Sequence, residues 1–152
     1  MDLSELLAEN ACEIVDATTD TVLRVRLKHY AAEGRDAVRR QIEDLFGRLL
    51  ACAVAQNATS MVEHARSIAE ERFASGFGLH EVQTAMNVME ETIWLRLEAQ
   101  LPPDEFAAAI RTVSSILGMG KDALATGYVL LAARTHAPAL DLPNLFRGTD
   151  GV

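Results

Sequence analysis

Between Met61 and Leu101 the chain carries two apolar stripes of helical period, separated only by Ser75-Gly76-Phe77-Gly78. Met61, Ala65, Ile68, Ala69 and Phe73 share one helical face before the break, and Val82, Met86, Met89, Ile93 and Leu97 share one after it. The two glycines permit backbone angles that other residues resist, so the break reads as a tight turn. A turn this short folds the two amphipathic helices, Met61 to Ala74 and Leu79 to Gln100, into a hairpin around which the rest must pack.

The flanking sequence is helical too. Asp2 is placed to cap a first helix, with Glu5 completing a capping box, and Leu3, Leu7, Ala11 and Ile14 form its apolar face. Ala17-Thr18-Thr19-Asp20 interrupts that pattern and offers a new N-cap. From Thr21 to Ala32 the signal is mixed, because Leu23, Val25 and Leu27 alternate with Arg24, Arg26 and Lys28 as in a strand. A lone strand would have no partner, so a helix is expected there. Gly34 ends it, and Arg35 to Gln56 follows with Val38, Ile42, Leu45, Phe46, Leu49 and Cys52 on one side. Thr59 or Ser60 is expected to cap the next helix, with Glu63 answering Ser60. Leu101-Pro102-Pro103 is a hard boundary, after which Asp104 caps a last helix from Glu105 to about Arg134. Gly118, Gly120 and Gly127 inside that helix imply a bend or the close approach of a neighbour. The reading is all-α: one domain of five to six helices over residues 1–134, with 135–152 as a C-terminal tail or linker.

At 152 residues the chain suits a single domain, and 49% hydrophobic residues are enough for a sizeable core. The formal charge of −8 argues against a broad nucleic-acid surface, although Thr21 to Leu49 is locally basic. A helix-turn-helix regulator is disfavoured on the same ground. Cys12 and Cys52 form no CxxC and have no clustered His, so reduced thiols and no metal site are expected. The acidic start MDLSELLAEN lacks the basic and apolar regions of a signal peptide. Phe106 to Ala133 is the most apolar stretch, but Arg111, Lys121 and Asp122 interrupt it, so no membrane span is expected. Together these point to the cytoplasm.

Chemistry is hard to find. No Glu is followed three residues later by His, which removes the di-iron bundle pattern. Gly118-Met119-Gly120-Lys121 is too short for a phosphate loop. No catalytic residue and no cofactor is assigned. Of His29, His64, His80 and His136, only His64 borders an apolar stripe, so it is the one candidate haem ligand, against the plainer reading of a boundary histidine.

Two charges fall where apolar residues should. Arg72 lies within the stripe of Met61, Ala65 and Ile68, and Glu90 lies beside that of Met86 and Leu97. Either they pair across the turn, or Arg72 lays its stem over the core and Glu90 is solvated. Val88 and Leu95 sit opposite the main stripe of their helix, near Trp94. A second apolar face serves a homodimer or another protein partner, unless a further helix of the same chain covers it.

Glu70-Glu71-Arg72-Phe73-Ala74-Ser75-Gly76-Phe77-Gly78-Leu79, then Glu81-Val82, then Glu90-Glu91-Thr92-Ile93-Trp94 resembles the N-terminal domain of RsbR-type proteins. These are the RsbT co-antagonists of bacterial stressosomes. The likeness extends more weakly over Ala31 to Ala133. It implies a globin-like, non-haem, dimeric module for sensing or protein interaction in a stress response. Family members attach a STAS domain that meets the kinase. No STAS segment is read in this sequence, so that role and its phosphorylated threonines are not carried over. Two functions follow: a non-catalytic signalling module with a regulatory protein partner and room for a small apolar ligand, or a haem- or small-ligand-binding globin-like protein using His64.

Overall fold

The computed structural model describes residues 2–135. Seven helices occupy them: α1 (Leu3–Glu9), α2 (Ala11–Val25), α3 (Lys28–Glu33), α4 (Arg35–Ala55), α5 (Thr59–Ala74), α6 (Leu79–Gln100) and α7 (Pro103–Thr135). No strand occurs among the described residues, so the alternation of Leu23, Val25 and Leu27 does not make one. The all-α, one-domain reading holds, with one more helix than expected. The tail beyond Thr135, including His136, lies outside the described residues.

The boundaries that moved have identifiable causes. The Asp2–Glu5 capping box forms as expected: Glu5 N–H donates to Asp2 Oδ1 at 2.9 Å and Asp2 N–H to Glu5 Oε2 at 3.0 Å. The expected break at Ala17–Asp20 does not occur. Thr18 and Thr19 are fully buried inside α2, and Thr19 Oγ1 donates to the Val15 carbonyl at 2.7 Å. A threonine that bonds back along its own helix no longer competes for a cap. The chain turns earlier, at buried Asn10, whose amide reaches the Leu6 carbonyl (2.8 Å) and Gln100 (3.1 Å). It turns again at Arg26, which is left-handed at φ 58° and ends α2.

At the start of α5 the expected Ser60–Glu63 box is replaced by Asn57, whose Oδ1 accepts from Thr59 N–H at 3.1 Å. α7 begins at Pro103, ahead of the expected Asp104 cap. Proline suits that first position because its missing N–H would have no partner there.

α7 is the spine of the fold: α5 and α6 both pack against it, α4 packs on α5, and α2 bridges α4 and α6. Two of its glycines explain the seam. A Cβ on Gly120 would stand 2.7 Å from Met61 Cγ, and one on Gly127 would stand 2.9 Å from Ala69 Cβ. The close approach is therefore by α5 side chains. Gly118 meets nothing within 4 Å, and the packing does not explain it.

By length and composition alone α7 is long and apolar enough to cross a membrane, although Arg111, Lys121 and Asp122 interrupt it. Its contacts with α5 and α6 account for that apolarity on one side only, since Met119, Val129 and Leu130 are exposed.

The acidic first twenty residues and the basic segment after them meet in space. Asp16 and Asp20 on α2 pair with Arg39 and Arg35 on α4, and Glu13 pairs with Arg96 on α6.

Candidate functional site

The Gly76-Phe77-Gly78 turn brings residues of α3, α5, α6 and α7 together. α5 ends in a Schellman arrangement: Gly76 takes φ 88°, Phe77 N–H donates to the Arg72 carbonyl at 2.9 Å, and Gly76 N–H to the Phe73 carbonyl at 3.1 Å. This geometry drives the Phe77 ring inward, where it is 4% exposed. Tyr30 meets it edge-on at 4.9 Å, His29 lies against it at 5.1 Å, and the Arg72 guanidinium stands 5.6 Å from its centre. The Phe77 carbonyl accepts the Tyr128 hydroxyl at 2.8 Å, so α7 holds the turn from the far side. Burial pushes the Tyr128 hydroxyl up to about 12, and it remains a donor across the physiological range.

Glu81 closes the cluster. One oxygen accepts from His29 N–H at 2.8 Å; the other accepts from Gly78 N–H at 2.9 Å and lies 2.6 Å from His29 Nδ1. Burial by itself would raise the Glu81 carboxyl, but the two backbone donors and His29 outweigh it and hold the pKa below the usual value. The chain thereby ties α3 to α6 through one carboxylate. His29 sits half-buried at the boundary of the fold, and Glu81 was missed as a site. The available signal was an acid at the third position after Gly78, the place from which a carboxylate reaches back to the cap.

The expected Arg72–Glu90 pair does not form. Arg72, 6% exposed, donates to Glu71 at 2.6 Å, while Glu90 lies 3.5 Å from Lys121 on α7, which also donates to Asn87 at 2.9 Å. A helical wheel gives the face of a residue but not its height. Arg72 is in the last turn of α5, whereas Glu90 stands about 16 Å up α6 from Leu79 at 1.5 Å per residue.

The second face of α6 divides. Val88 is 9% exposed and belongs to the core, because α6 is packed by both α2 and α7. Leu95 at 62% and Trp94 at 46% stay open to solvent. They edge a cleft of about 460 Å³ with Asn87, Glu90 and Glu91, and Trp94 leans on Phe106 with ring centres 6.1 Å apart.

His64 is half-buried beside a void of about 20 Å³ between α4, α5 and α6. Burial, then the charges of Arg48 and Arg72, lower its pKa. Ligand pockets typically span about 300–1,000 Å³, so neither a macrocycle nor the expected apolar ligand finds room in that void. Cys12 is exposed and Cys52 is buried, and no metal-holding group of His, Cys, Asp or Glu occurs among the described residues.

The family model for the RsbT co-antagonist protein rsbRD N-terminal domain matches residues 8–139. The chain belongs to this family. As an rsbRD N-terminal domain it is a signalling module related to RsbR. No curated protein and no solved structure matches it.

Proposed function

We infer that this rsbRD N-terminal domain is a non-catalytic, non-haem, globin-like module of a cytoplasmic stress response, acting through homodimerisation and a regulatory protein partner. The observation that carries the reading is the open Trp94–Leu95 face of α6. A large ring and a branched aliphatic side chain stand in solvent beside a cleft, on a helix whose other faces are covered. Aromatic anchors of this kind concentrate binding energy where two proteins meet. The seven-helix architecture and the buried turn give that face a rigid backing.

Light scattering and sedimentation of the wild type and of Leu95→Asp test the idea. The wild type should be a dimer, and Leu95→Asp a monomer with an unchanged far-ultraviolet circular dichroism spectrum. A wild type that stays monomeric at high concentration would defeat the dimer. An absorbance scan of the purified protein addresses the other alternative, since a strong Soret band would restore haem binding through His64.

A further inference from the structure

The layer formed by α2 and α6 is polarised in charge. The two helices run antiparallel: Asn10, at the start of α2, bonds Gln100 at the end of α6 at 3.1 Å, and Glu13 pairs with Arg96. At the other end His29, just past α2, meets Glu81 in the first turn of α6 at 2.6 Å. Within this layer the acids Glu13, Asp16 and Asp20 are answered by arginines of the same chain. The charges left over are sorted by end.

On α6, Glu91, Leu95 and Glu98 recur at helical spacing on one exposed face beside Trp94. Neither glutamate has an ion-pair partner among the described residues. The cations nearby are engaged, Arg96 by Glu13 and Lys121 by Glu90 and Asn87. At the opposite end Arg24, Val25, Arg26 and Lys28 are exposed, Val25 at 49%, and none of these three cations forms an ion pair among the described residues. Arg24 shares its helical face with Glu13, Ala17 and Asp20, which puts it on the same side of the layer as the Glu13–Arg96 pair. It stands about 16 Å along α2 from Glu13, at roughly 1.5 Å per residue.

One surface thus carries an acidic patch and a basic patch, each with apolar side chains at its centre. A two-fold axis through Leu95 would set Glu91 of one protomer against Glu98 of its partner, like charge on like. An axis between the two patches sets acid on base twice, because contacts across a two-fold are reciprocal. Resting on the dimer inferred above, we propose that a second copy seats its basic knuckle, Arg24 to Lys28, on the acidic Trp94–Leu95 face. Val25 of one protomer then meets Leu95 and Trp94 of its partner, and the flanking cations answer Glu91 and Glu98. The pair is closed, with both patches of each protomer used.

Sedimentation at graded concentration tests the arrangement. Exposed charge pairs are screened by salt, so raising it from about 0.05 to about 0.5 M should weaken the wild-type dimer by about tenfold. The double variants Glu91→Lys with Glu98→Lys, and Arg24→Glu with Arg26→Glu, should each be monomeric with the helical spectrum retained. An equimolar mixture of the two should recover a dimer, because every contact then joins opposite charges. A mixture that stays monomeric, or species that grow beyond the dimer, would overturn this geometry. A wild-type dimer lost in Leu95→Asp but indifferent to salt and to both charge variants would leave the dimer standing and overturn the charge-matched seating. A monomeric wild type would remove both. Where a charge variant fails to fold, the salt dependence of the wild type decides.

Discussion

Glu81 shows how one side chain sets the behaviour of a region. Its carboxylate takes two backbone N–H donors and faces His29, and its pKa lies below the usual 4.5. A group depressed in the folded state contributes stability that is complete above its unfolded value and is lost as pH falls through its folded one. Denaturant melts should therefore weaken progressively below pH 4.5, and Glu81→Gln should flatten that part of the profile. Hydrogen bonds to a charged acceptor are worth about 1.5–3 kcal/mol, so Glu81→Gln should also cost stability of that order at neutral pH. Tyr128→Phe leaves the Phe77 carbonyl without its buried donor and should cost about 1–3 kcal/mol in the same melts. Sequence alone could not have found either bond. Their partners lie 52 and 51 residues away, and no helical period encodes contacts of that range.

Among the elements, α7 offers a paired comparison. Alanine is about 1 kcal/mol better than glycine inside a helix. Gly118→Ala, with nothing within 4 Å, should therefore raise stability by about that much. At Gly127 the new methyl would stand 2.9 Å from Ala69 Cβ, and overpacking costs about 1–3 kcal/mol, so Gly127→Ala should lower the melting temperature. Opposite signs for one chemical change are the signature to look for. The three glycines looked alike in sequence, and only the neighbour supplied by α5 separates them. The amphipathic hairpin itself was plain, because α5 and α6 each bury one periodic stripe. Helix ends made without Gly or Pro were not: the chain breaks at Asn10 and at the left-handed backbone of Arg26, and not at Thr18 and Thr19.

For the whole molecule, the fold and the Trp94–Leu95 face could be read from apolar periodicity, whereas the charged residues could not be paired from it. Arg72 and Glu90 were rightly judged unusual, and both lie in or near the core, yet each found a partner at its own height. The same limit applies to Val88, whose burial depends on α2 and α7 flanking α6. The α5–α7 seam finally restricts how such a module can change shape. A slide of α7 by one helical turn, about 5.4 Å, would carry Ile116 or Leu124 into the space that Gly120 fits against Met61 and Met86. α5 and α7 are thus locked in register like a rack with one missing tooth. Any change of shape in this domain therefore has the α5–α7 seam as its fixed frame.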